Sequence, residues 1–187
     1  PSMIAADFDA DVVRIASPSV LEAMTVPEAL SAEFVEGEGI VLSGSTPDMN
    51  SAGKTAGASF MLDEAAEQQA SAHSIAVKIY AKGEPGAIMR VAYSTNDVGN
   101  SGWTQFDLTD AFQEYTFDYE VPPASRGGND YIGFVPSRGD VTIGAVGIDI
   151  GEALQAAPAA SETPSGEGAA APAADVDMPE GSDDDSE

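Results

Sequence analysis

The chain has no cysteine, one histidine, one tryptophan, and only 7 lysines and arginines against 32 aspartates and glutamates. Without cysteine there is no disulfide, no thiol nucleophile and no thiolate metal site. The lone His73 excludes a multi-histidine metal centre, and no serine or carboxylate spacing marks it as half of a catalytic pair. No apolar run approaches the roughly 18 residues that a membrane-spanning helix needs, and no export signal is visible. The formal net charge of −25 repels phosphate backbones and anionic lipid, which argues against nucleic-acid and membrane-surface partners. The first residue is Pro1 rather than methionine. An N-terminal segment upstream of Pro1 is therefore expected to have been removed: a cleaved export signal or membrane anchor is one candidate and simple trimming of the sequence is the other, and the first would make the protein extracytoplasmic, either periplasmic or secreted.

What is present divides near Gly151. Residues 152–187 carry ten acids and no lysine, arginine or aromatic residue, and Ala, Pro, Gly and Ser fill most of the remainder. Such a segment has too little apolar surface to offset its ordering entropy, so a disordered acidic tail is expected. Residues 1–151 keep a net charge of about −15 and hold the folded domain. Within them, 1–59 mixes signals. "DFDADVVRIA" and "GIVLSG" read as strands, while "PSVLEAM" and "VPEALSAEF" read as short helices with Pro18 and Pro27 in their first turns.

Residues 60–151 hold the main strands. "HSIAVKIYAKG" sets Ile75, Val77 and Ile79 on one face against Ala76, Lys78 and Tyr80 on the other. "AIMRVAYST", "WTQFDL", "EYTFDYEVP", "DYIGFVP" and "VTIGAVGIDI" follow, separated by turns rich in Gly, Pro and Asn. Strands at this spacing, with no room for crossover helices, predict an all-β antiparallel sandwich with one or two short N-terminal helices.

The order "IAVKIYAKG … AIMRVAYST … GWTQFDLTDAFQEYTFDYEVP … DYIGFVPSRGDVTIGAVGIDI" resembles the galactose-binding-like jelly roll of carbohydrate-binding modules. The resemblance spans about residues 60–151, with Asp149 matching the terminal aspartate of that pattern. It implies a non-catalytic module whose partner is a polysaccharide. The same sandwich also serves protein docking. The alternative is therefore a structural or assembly subunit of an extracytoplasmic or membrane-anchored complex, with a protein partner.

Candidate ligand contacts follow from residue chemistry. An exposed Trp103 would stack on the C–H face of a sugar ring, whereas a buried one would pack into the core. Tyr93 and Tyr131 each offer a ring and a hydroxyl. Asn129, Arg126 and Arg138 flank the last hairpin, where arginine suits an acidic sugar or a partner's carboxylate. Tyr115, Phe117 and Tyr119 share one face at period two and read as core. "RGD" at Arg138–Asp140 is short enough to arise by chance. Asp7, Asp9 and Asp11 line one side of an extended chain, a set of hard oxygens suited to Ca²⁺. Jelly-roll modules often carry a structural calcium near their terminal strands, so the resemblance implies that Asp149 joins this set. The carboxylates are too many for any pair to stand out as acid and base, and no enzymatic activity is expected.

Overall fold

The structure, a computed structural model, describes residues 7–45, 57–95, 99–123 and 129–155. Two antiparallel sheets face each other. The first contains β1 (Val12–Ile15), β2 (Leu30–Val35), β3 (Gly39–Gly44), β5 (His73–Gly83), β8 (Gln113–Glu120) and β10 (Val141–Ala153), ordered β2-β3-β10-β5-β8 with β1 also on β10. The second contains β4 (Ala58–Met61), β6 (Ile88–Ser94), β7 (Thr104–Asp107) and β9 (Tyr131–Arg138), ordered β4-β9-β6-β7. This is the expected jelly-roll sandwich.

Alternation builds the core. Ile75, Val77 and Ile79 of β5 and Val146 and Ile148 of β10 point between the sheets and are almost wholly buried. Opposite them, β6 contributes Met89, Val91 and Tyr93, and β9 contributes Ile132 and Phe134. Burying each such side chain stabilises the fold by about 1.5–3 kcal/mol. Phe60 and Phe134 meet edge to face at 5.5 Å. Tyr115 and Tyr119 pack against this core beside buried Phe117, as their shared face predicts.

Two short helices close the frame. In α1 (Pro18–Ala23), Ser17 accepts the Val20 N–H at 3.2 Å and Pro18 occupies the first turn. In α2 (Glu64–Ala70), Asp63 accepts the Ala66 N–H at 2.8 Å, and Ala66 and Ala70 are buried. The α2 helix was not foreseen. The helix expected over "VPEALSAEF" is instead the strand β2. Leu30, Ala32 and Phe34 alternate, and pairing with Gly44, Leu42 and Ile40 of β3 outweighs a weak helical propensity.

β10 continues to Ala153, and the Leu154 N–H donates to Ala72 O at 2.7 Å, so the compact unit runs to Leu154. The expectation for the tail falls outside the described residues from 156 onward. Among the described residues, no helix is long and apolar enough to cross a membrane.

Candidate functional site

The outer face of the four-stranded sheet is built from the alternate residues of β6, β7 and β9. On β7, Phe106 turns inward to Tyr115 and Phe117, leaving Gln105 and Asp107 outward and exposed. Trp103, one residue before β7, falls in the same two-residue series; it is half-buried and stands outside the core cluster. On β6 the outward residues are Ile88, Arg90, Ala92 and Ser94, with Arg90 opposite Gln105 and Ile88 opposite Asp107. Arg90 Nη2 donates to Gln105 Oε1 at 3.4 Å, confirming that the two lie side by side.

Next to β6, β9 sets Tyr131 opposite Ser94 and Arg138 opposite Ile88. Tyr131 is half-buried and also pairs with Met61 of β4, while Arg138 is exposed at the start of the last turn. The middle of the face is closed: Ala92 is 3% exposed, Val135 1% and Ser59 6%. The β7 side of the face carries exposed Gln105 and Asp107 beside the half-buried Trp103 indole and Arg90 guanidinium. Such a set can stack on a sugar ring and exchange hydrogen bonds with its hydroxyls.

Three of the six expected ligand contacts, Trp103, Tyr131 and Arg138, thus share this face. Asn129 is exposed just before β9. Arg126 lies outside the described residues. Tyr93 is a correction: it is fully buried between the sheets, and its hydroxyl donates to Asp130 Oδ2 at 2.6 Å. Its inward alternation with Met89 and Val91 explains the burial.

Asp130 itself is 8% exposed. Its backbone N–H donates to Glu67 Oε1 on α2, and its carbonyl accepts the Leu62 N–H at 2.8 Å. Burial pushes its carboxyl above the ordinary range, the Tyr93 hydrogen bond opposes that shift, and the Glu67 charge reinforces it. Burial likewise pushes the Tyr93 hydroxyl far up, so it remains a donor. This buried cluster anchors the start of β9 and so positions Tyr131. Arg90, Gln105 and Asp107 were missed by sequence reasoning, although the alternation in "IMRVAYS" and "WTQFD" carried the signal.

The acidic segment near the N-terminus is arranged differently from a calcium cage. Asp11 and Asp149 meet through backbone groups: the Asp11 N–H donates to Asp149 Oδ1 at 3.2 Å, and the Ile150 N–H donates to Asp11 Oδ2 at 2.7 Å. Lys78 Nζ sits 2.7 Å from Asp149 Oδ2, 3.9 Å from Glu114, and donates to Asp9 O at 3.1 Å. The hydrogen bond to Asp149 raises the lysine pKa. Asp7, Asp9, Asp11 and Asp149 do not converge, and among the described residues no three metal-binding side chains gather. A cage of six to eight oxygens does not fit here, because an ammonium already neutralises Asp149.

No family model and no curated protein matches the chain. Solved structures do. The CBM22-1 xylan-binding domain from Paenibacillus barcinonensis Xyn10C superposes with a TM-score of 0.53 at 12% identity, covering 78% of this chain and 97% of that domain. The CBM22-1-CBM22-2 tandem domain of the same protein gives a TM-score of 0.57 at 12% identity, covering 84% of this chain and 50% of the tandem. The chain has the jelly-roll fold of these carbohydrate-binding modules.

Proposed function

We propose that the protein is a non-catalytic carbohydrate-binding module that holds a polysaccharide on the outer face of the four-stranded sheet. The observation that carries this reading is the open strip along β7, where Trp103 stands in series with Gln105 and Asp107 beside Arg90. The indole stacks on the apolar face of a pyranose ring, while Gln105 and Arg90 hydrogen-bond to its hydroxyls. Tyr131, held by the Asp130 anchor, lies on the β4 side of the closed middle and stands apart from this strip. The likeness in fold to a xylan-binding domain supports the reading. On this reading the module works outside the cytoplasm.

The test is affinity electrophoresis through gels containing neutral and acidic polysaccharides, for the native chain and for Trp103→Ala. Retardation of the native chain by at least one polymer, lost in the variant, is the expected result. Free migration of the native chain in every gel would overturn the proposal.

A further inference from the structure

Cations are scarce in this chain, 7 against 32 acids, so a cation without a carboxylate is unusual. Arg14 pairs with Asp63, Lys78 with Asp149 and Glu114, and Lys82 with Glu38. Arg90 and Arg138 are the described cations without a carboxylate partner. Both lie on the outer face of the four-stranded sheet. Arg138 pairs with Ile88, two residues from Arg90 along β6, across a register shift between Ile88 and Met89, so the two arginines lie on adjacent strands near the same end of the face. Two carboxylates share this region, Asp107 opposite Ile88 and Asp140 in the turn after Arg138, and neither forms an ion pair with them.

Resting on the glycan-binding reading above, we propose that the ligand of this face is an anionic polysaccharide. Its uronate carboxylates or sulfate esters are gripped by Arg90 and Arg138 while a ring stacks on Trp103. A guanidinium fork matches either oxyanion bidentately. The net charge of −25 opposes a polyanion at long range, but exposed charges beyond about 10 Å are largely screened at 0.1 M salt. At contact, hydrogen bonds with ionised groups are about twice as strong as neutral ones, so the local pair dominates.

The experiment titrates four polymers into the native chain, Arg90→Gln, Arg138→Gln and Trp103→Ala, with thermal melts confirming that each variant is folded. The polymers are a polyuronate, the same polymer with its carboxyls reduced to alcohols, a sulfated galactan, and its desulfated form. The native chain is expected to bind one charged polymer at least about tenfold more tightly than its uncharged counterpart. Which of the two pairs shows the ratio identifies carboxylate or sulfate. Each arginine variant should shrink that ratio several-fold, whereas Trp103→Ala should weaken charged and uncharged forms alike. Equal binding of charged and uncharged forms would overturn the anionic ligand and leave glycan binding standing; binding to none of the four would overturn the anionic ligand, and free migration in the neutral gels as well would overturn glycan binding.

Discussion

Replacing Tyr93 by Phe removes one oxygen from a buried site without opening a cavity, so the loss reports on the Asp130 anchor alone. The Tyr93 hydroxyl donates at 2.6 Å to a carboxylate that is 8% exposed. A hydrogen bond to a charged group is worth about 1.5–3 kcal/mol, so a loss of about 2 kcal/mol is expected at pH 7.5. For a domain of this size that corresponds to a Tm drop of about 4–8 °C. The loss must depend on pH. Burial holds the Asp130 carboxyl above its ordinary range in the folded protein. Its stability contribution is therefore full below the unfolded value of about 3.9 and declines as pH rises through the folded pKa. The Tyr93 bond lowers that folded pKa and limits the decline. As pH falls through the folded pKa the carboxyl protonates, the bond becomes one between neutral groups, and the loss should shrink towards about 1 kcal/mol. Thermal melts of native and Tyr93→Phe protein at pH 4 and 7.5 give both numbers. An equal loss at the two pH values, or one below about 0.5 kcal/mol at pH 7.5, would refute the anchor.

Because Lys78 already neutralises Asp149, millimolar Ca²⁺ should leave the Tm unchanged; a rise of several degrees would show the acidic segment gathering around the ion. Lys78→Gln should cost about 0.5–1 kcal/mol, read from the same melts. Gly147→Ala should cost about 1–3 kcal/mol, since the added methyl would meet Val12 O at 2.6 Å, Ala10 Cβ at 2.9 Å and the Phe8 ring at 2.9 Å; an unchanged melt would mean that the Phe8–Ala10 segment does not lie on β10. Ending the chain at Gln155 should preserve the native Tm to within a few degrees. Ending it at Gly151 removes the pairing of Ala153 with His73 and the Leu154 hydrogen bond and should cost about 1 kcal/mol more.

Strands with strict alternation were legible, because period two and sheet pairing agree. β5, β6, β8 and β10 fall where Ile75–Ile79, Met89–Tyr93, Tyr115–Tyr119 and Val141–Ile148 alternate or run apolar. β2 was misread because Val26, Leu30 and Phe34 also fit a helical spacing, and only the partner β3 decides between the two. α2 was overlooked although Asp63 before an Ala/Glu/Gln run is a usable cap signal. The face bearing Trp103, Tyr131 and Arg138 was half visible: residue chemistry proposed the side chains, but strand pairing brought Arg90 and Gln105 beside them. Tyr93 was assigned by its hydroxyl, and the inward alternation of β6 overrode that choice. Asp149 was placed near Asp11, as the terminal strands suggested. Lys78 could not be foreseen there, because cross-strand pairing of β5 with β10 delivers it.

Trp103 emission during polysaccharide titration decides whether the open strip of β7 is a binding face. The chain has one tryptophan, so the signal belongs to this residue. A binding platform predicts a spectrum that shifts and saturates with at least one polysaccharide. It also predicts that Trp103→Ala weakens that binding at least about 30-fold, equivalent to about 2 kcal/mol, with a Tm within about 3 °C of native. The contrary result is emission that no polysaccharide changes, together with a Trp103→Ala variant destabilised by about 3–5 kcal/mol. That outcome would make Trp103 a packing residue and leave the sandwich without a sugar site on this face.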